Sequence, residues 1–254
     1  MVFPGMKTAT RAAALAACIA LSTGAAGQPA PKPGAKSAAK SSPKSANWNG
    51  QVSVNANGSY RLGNPEAPVR LTEYVSYTCP HCAHYQAESE PTLRLTVVPK
   101  GQVSVTVVNV LRNPVDLTVA MLTYCGDPKR YFVRNNAFFA TQEKWLAKVQ
   151  AASPGQQQRW FQGTTVDRMR AVANDLGFYP MLAGWGTDRA QADACLSDQA
   201  MLDKLKAQQA DVESAGVAGT PSFTINGQLL EAHDWASVSQ AITEKLAQLR
   251  EGNI

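Results

Sequence analysis

The side chains with the clearest chemistry in this sequence are Cys79 and Cys82, in the run Cys79-Pro80-His81-Cys82. Two thiols with two residues between them suit three chemistries: metal ligation, covalent haem attachment and reversible disulfide formation. A zinc site takes about four ligands, usually with a second close pair. Here Cys125 and Cys195 are isolated, and His84 is the nearest histidine outside the run. Haem attachment needs His directly after the second Cys, where this chain has Ala83. A purely structural bridge over so short a loop gains little, because loop-closure stabilisation grows with loop length. Redox exchange is the strongest of these readings.

The local physics supports it. Pro80 suits the first position of a helix, which makes Cys79 the N-cap and Cys82 the third helical residue. Unpaired N–H groups of the first turn then point at the Cys79 sulfur, and the helix dipole adds partial positive charge. Both favour thiolate over thiol, so the pKa of Cys79 falls. Residues three apart on a helix are neighbours, so the two sulfurs can close a disulfide. His81 can donate to the thiolate or place positive charge beside it. Each pKa unit of thiolate stabilisation favours the reduced form by about 1.4 kcal/mol. A stabilised reduced form makes the disulfide a stronger oxidant, by about 30 mV for each 1.4 kcal/mol. In the exchange, a substrate thiolate attacks the Cys79 sulfur and releases Cys82. A second substrate thiolate then resolves the mixed disulfide.

The elements that hold this turn are readable in outline. Val69–Val75 alternates apolar and polar residues apart from Glu73, and the pattern predicts a strand. A helix follows from Ala83 to about Val97, with Pro91 expected to kink or divide it. Val103–Val110 is a second, β-branched strand, giving a βαβ unit with the cysteines at its strand-to-helix junction. Residues 114–215 read as mostly helical, with Asn113-Pro114 as cap and first helical residue. Strand character returns at Pro221–Ile225. Asn226-Gly227 predicts a two-residue hairpin turn into Gln228–Leu230, and a helix runs from about Trp235 to Leu249 behind Asp234 as N-cap.

Tyr77-Thr78-Cys79-Pro80-His81-Cys82 after a strand, with Gly219-Thr220-Pro221 opening the run that ends at Gly227, resembles the DsbA-like disulfide oxidoreductases. The resemblance covers roughly residues 58–250. It implies an α/β thioredoxin fold with a helical insertion domain. Residues 58–113 would form its first half, 114–215 the insertion and 216–250 the second half. It implies that the Thr220–Pro221 bond is cis and faces the cysteines, and that substrate docks against Thr220, Pro221 and Pro80. Glu73 matches the family's buried acid and is implied to pass protons for Cys82; a solvent-facing strand position is the other reading. Thr220 also precedes the proline in disulfide isomerases, and Gln86 stands where some relatives carry an acid. Oxidase and isomerase or reductase therefore both stay open, as does a redox-inert chaperone or binding module on the same scaffold. The redox disulfide is the only redox group implied, with no metal or other cofactor. The implied partners are unfolded or partly folded exported proteins and a DsbB-type membrane reoxidant. Family isomerases dimerise through a dedicated N-terminal domain, for which residues 28–57 are too short and too polar, so a monomer is expected.

Cys125 and Cys195 both fall in the helical stretch. An oxidising compartment favours a bridge between them, the alternative being two separately buried small side chains. His84 and His233 are expected on the surface. The N-terminus resembles an export signal over residues 1–26, with Lys7 and Arg11 before the apolar run Ala12–Leu21 and small residues at Gly24 and Ala26. Alternatives are an uncleaved anchor and a lipobox ending in Cys18. Residues 27–57 are expected to form a flexible Pro, Ala, Ser and Lys tether. Together these place the chain in the periplasm or cell envelope. Residues 1–50 hold six of the 24 Lys and Arg and no acid, so the remaining 18 basic and 19 acidic residues leave the rest nearly neutral. The overall charge of +5 thus marks the N-terminal arm and gives no basic face for nucleic acid.

Overall fold

The structure, a computed structural model, describes residues 47–252 of the 254. The expected export signal, the Cys18 alternative and the tether up to residue 46 lie outside the described residues. The expectation of a tether reaching residue 57 is corrected. Trp48–Gly50 forms a 3-10 turn, and Val52–Val54 (β1) pairs with Tyr60–Leu62 (β2) as an antiparallel hairpin. Tyr60 and Leu62 are buried. Strands of three residues are too short to show a period in the sequence, so only the pairing reveals them.

A six-stranded sheet runs in the order β1-β2-β4-β3-β5-β6. Val69–Val75 (β3) and Val103–Asn109 (β4) pair in parallel over their full length, as a βαβ crossover requires. Ser222–Ile225 (β5) lies antiparallel on the other side of β3 and turns into Gln228–Leu229 (β6). The turn residues Asn226 and Gly227 have φ of 54° and 85°, the left-handed pair that a two-residue hairpin needs. All seven residues of β4 are buried. Pro80–Thr92 (α1) connects β3 to β4, and Trp235–Glu251 (α10) packs on β3 and α1.

Pro91 lies inside α1 and does not divide it. The change comes just after it, where Leu93–Val97 widens into a π turn before a 3-10 turn at Val98–Lys100. A proline near the end of a helix gives up few backbone bonds, and the wider turn absorbs the missing one.

Eight helices lie between β4 and β5: Pro114–Thr123 (α2), Tyr131–Ala140 (α3), Gln142–Gln150 (α4), Pro154–Phe161 (α5), Thr165–Leu176 (α6), Phe178–Gly184 (α7), Arg189–Leu196 (α8) and Gln199–Ser214 (α9). Side-chain caps fix several of their starts. Asn113 accepts from Val115 and Asp116 N–H, while Ser153, Thr164 and Asp188 each form a capping box. Their aromatic and aliphatic faces join the sheet in one core, with Tyr131, Phe138, Met169, Phe178 and Leu182 fully enclosed. A smaller cluster of Tyr74, Val108 and Val212 forms where α9 meets the other face of β3 and β4.

Candidate active site

Cys79 has extended backbone (φ −94°, ψ 116°) and caps α1 without a side-chain cap bond, and Pro80 stands at the first helical position. The N–H groups of the first turn are therefore left for the Cys79 sulfur. Both thiols are free; Cys79 is 4% exposed and Cys82 is fully buried. The Thr220–Pro221 bond is cis. It brings the Thr220 carbonyl to 3.2 Å from Cys79 Sγ, which donates to it as a thiol.

This setting separates the two sulfurs in acidity. The Cys82 thiol donates to the Cys79 sulfur and is the main reason that Cys79 is held far below an ordinary thiol, at about 5. Burial opposes this, and Thr220 with the N–H groups of Cys82 and His81 adds to it. The Thr220 hydroxyl is buried with no other hydrogen-bond partner among the described residues. Cys82 is pushed strongly up, first by burial and then by its bond to Cys79. At neutral pH the reduced pair is thus a thiolate at Cys79 beside a protonated Cys82.

His81 contributes to the Cys79 sulfur through its backbone. Its imidazole is exposed, and what reaches the sulfur is its backbone N–H. His84 is exposed and pairs with Glu88 at 3.3 Å. His233, also exposed, lies 3.4 Å from the Pro221 carbonyl through Nδ1. It shares with His81, Thr220, Pro221, Leu229 and Leu230 the lining of a cavity of about 480 Å³ beside the cis bond.

Glu73 is buried, at 1% exposure, on the face of β3 that carries Leu71 and Val75. Tyr85 on α1 donates to its Oε1 at 2.9 Å, and the Tyr85 ring packs on Phe223 of β5 at 4.4 Å. Burial pushes the carboxyl up to about 7, against the pull of the tyrosine bond. Tyr85 follows Cys82 by one turn of α1, and the acid it bonds changes protonation near neutrality, in the range where exchange runs.

Two positioning residues come from the helical stretch and were not singled out in the sequence. Asp116 on α2 is fully buried and accepts from Ser76 Oγ (2.9 Å), Thr78 N–H (2.9 Å), Thr78 Oγ1 (3.2 Å) and Arg112 N–H (3.1 Å). Gln142, at the start of α4, donates from Nε2 to the carbonyls of Tyr77 (2.6 Å) and Cys79 (2.8 Å). Tyr77 also donates to Asn135 (2.8 Å) and stacks on Phe139 of α3 at 4.9 Å. The segment 76–79 is therefore gripped from α2, α3 and α4. An N-cap signal at Asn113 marks where Asp116 must lie, but nothing local marks its reach to Thr78.

Cys125 and Cys195 form a disulfide (S–S 2.06 Å) that ties the residue following α2 and its Tyr124 cap to α8. Among the described residues no cluster of His, Cys, Asp or Glu could hold a metal ion.

Residues 55–244 match the Thioredoxin_4 family, described as thioredoxin. A solved protein-disulfide isomerase from Novosphingobium aromaticivorans is 44% identical, with a TM-score of 0.70 over 73% of this chain and 96% of that one. Wolbachia pipientis α-DsbA1 shares the fold at 19% identity and a TM-score of 0.58, over 77% of this chain and 96% of that one. A Rickettsia bellii chain named as a protein-disulfide oxidoreductase is 25% identical over 189 residues, covering 74% of this chain and 64% of that relative. The chain thus spans a little under two thirds of the length of that curated relative. The match over residues 55–244, together with the helices set between β4 and β5, identifies the chain as a member of the thioredoxin family with a DsbA-like build.

Proposed function

We propose that the chain is a protein thiol–disulfide oxidoreductase that oxidises cysteine pairs in exported proteins through Cys79–Cys82. The observation that carries this reading is the split between the two thiols: Cys79 held at about 5 at the start of α1, Cys82 buried and held protonated. A thiolate of low basicity is a good leaving group and stabilises the reduced pair, which makes the disulfide form a strong oxidant. A client thiolate attacks Cys79 Sγ, and the electron pair of the broken S–S bond leaves on Cys82, which takes up a proton. Attack of the client's second thiolate on its own sulfur in the mixed disulfide then expels Cys79 as thiolate. The client leaves oxidised and the pair reduced, by two electrons. The client backbone would lie along Thr220 and Pro221, with Pro80 at the rim, and Glu73 would serve the Cys82 proton through Tyr85.

The isomerase reading rests on a specific observation: the relative at 44% identity is named a protein-disulfide isomerase, and Thr220 places a hydroxyl beside both sulfurs. Equilibration of the full chain against glutathione buffers separates an oxidant from a reductase. A potential well above about −180 mV supports the oxidase, and one near about −270 mV, in the thioredoxin range, refutes it. Faster recovery of a scrambled disulfide substrate than oxidation of a reduced one would favour the isomerase. The reading includes export by residues 1–26, a periplasmic or envelope location, a monomer, and reoxidation by a DsbB-type membrane partner. Mass spectrometry of the N-terminus in the native host tests the first of these, separating cleavage after Ala26 from lipidation at Cys18.

A further inference from the structure

Away from the Cys79–Cys82 site, the Cys125–Cys195 disulfide floors a cavity of about 420 Å³ that is also bounded by Asp127, Arg130, Arg134 and Trp185. Arg134 is 6% exposed. Its Nε donates to the Thr123 carbonyl at 2.8 Å and its Nη2 to the Asp127 carbonyl at 3.0 Å. Those two carbonyls flank Cys125 in the chain, so the guanidinium straddles the turn that carries this sulfur. Its Nη1 makes no hydrogen bond among the described residues and is not sealed from solvent. Neither Arg134 nor Arg130 has a carboxylate at ion-pair distance among the described residues. The Asp127 carboxylate also borders the cavity, but it accepts from the Lys129 N–H at 2.9 Å as a turn cap. Two guanidinium groups against one carboxylate leave the space cationic. A buried guanidinium held by carbonyls alone, with a free N–H edge, is a ready partner for an anion. The volume is that of a small-molecule site.

We propose that this cavity docks a small anionic thiol, one carrying carboxylates, and that Cys125–Cys195 is a second site of thiol–disulfide exchange. Cys195 is the more exposed of the two cysteines and Cys125 is buried, so the incoming thiolate attacks Cys195 Sγ. The new S–S bond joins the small thiol to Cys195, and the old bond breaks with its electron pair on Cys125 Sγ. The departing Cys125 thiolate forms in the turn that Arg134 spans, where positive charge favours it. Attack by a second small thiolate on the sulfur of the first then frees Cys195 and releases the small thiol as its own disulfide. Alternatively, Cys125 recloses the bridge and expels the bound thiol unchanged.

The test uses the full chain carrying Cys79→Ser and Cys82→Ser, so its outcome does not depend on the function proposed for that pair. Reduction of Cys125–Cys195 is followed with glutathione, 2-mercaptoethanol and cysteamine at equal thiolate concentration, by acid quench, alkylation and peptide mass mapping. Expected is a rate order of glutathione, then 2-mercaptoethanol, then cysteamine, spanning about tenfold, which reflects charge-assisted contacts to the two guanidinium groups. The glutathione adduct should sit on Cys195. Arg130→Ala, at an exposed position that leaves the core untouched, should reduce the glutathione advantage by about threefold. Arg134→Lys should reduce it further if the variant folds. Equal rates for the three thiols, an adduct chiefly on Cys125, no effect of Arg130→Ala, or a reduction rate equal to that of global unfolding would each overturn the proposal.

Discussion

Replacing Gln142 by Leu keeps the volume of a buried side chain and removes the donor that joins α4 to the Cys79 turn. The two carbonyls it serves are not equivalent. Cys79 O also accepts from the N–H groups of Cys82 (3.1 Å) and Ala83 (3.3 Å), whereas Tyr77 O has no other partner among the described residues. Leaving a buried acceptor unpaired costs about 1–3 kcal/mol, and losing the additional bond at Cys79 adds about 0.5–1.5 kcal/mol. The expected loss is about 2–4 kcal/mol, or a fall in Tm of about 5–12 °C for a domain of this size. A second effect distinguishes positioning from stability alone. With the Cys79 turn loosened, the sulfur loses alignment with the first-turn N–H groups and with Cys82, so its titration midpoint moves up from about 5. Thermal unfolding of the reduced chain, together with thiolate absorbance or alkylation rate against pH, measures both. Gln142→Glu should be worse on both counts, because it sets a carboxylate against two carbonyls. A Tm within about 1 °C of the parent, with an unmoved thiolate midpoint, would refute the claim that α4 holds the reactive turn.

Cys82→Ala removes the donor that contributes most to the low value at Cys79, so the Cys79 midpoint should rise from about 5 when followed by thiolate absorbance; an unchanged midpoint would leave the helix start as the whole cause. The stability of the reduced chain relative to the oxidised chain should be bell-shaped in pH when measured by denaturant unfolding. Cys79 is depressed, so its contribution is present above the ordinary thiol value of 9.0 and lost as pH falls through about 5; Cys82 is raised, so the advantage declines again above 9.0. Glu73 stays protonated in the folded chain up to about 7 but ionises at 4.5 when unfolded, so the parent loses stability as pH rises between these values. Glu73→Gln should escape this loss and gain on the parent by about 3 kcal/mol between pH 4.5 and 7; a pH-independent difference would contradict the burial argument. Removing the bridge with Cys125→Ala and Cys195→Ala opens a loop with a sequence separation of 70 and should lower stability by about 4 kcal/mol in chemical denaturation.

How much of this was legible beforehand follows the range of the interactions. The spacing Cys79-Pro80-His81-Cys82 after an alternating strand already places a thiol at a helix start, because the capping geometry is set within four residues. The hairpin at Asn226-Gly227 and the caps at Asn113 and Asp234 are local in the same sense, and the structure holds them where the sequence puts them. The three-residue strands β1 and β2 were not legible, because their identity lies in pairing, β1 with β2 and β2 with β4. Alternation puts Glu73 on the face of Leu71 and Val75, and the packing of Tyr85 and Phe223 is what buries the carboxyl there. At His81 the residue type suggested an imidazole at the sulfur, and the contact supplied by the first helical turn is its backbone N–H. Asp116 and Gln142 lie 37 and 63 residues from Cys79 in sequence, and their side-chain types are ordinary for helix starts; only the docking of α2 and α4 on the loop 76–79 makes them part of the site. By itself, then, the sequence determined which atoms react, since a sulfur at a helix N-terminus is a matter of neighbouring residues. Tertiary structure decided how strongly they react, because burial, the facing Thr220 and the grip of the inserted helices all act across distant parts of the chain.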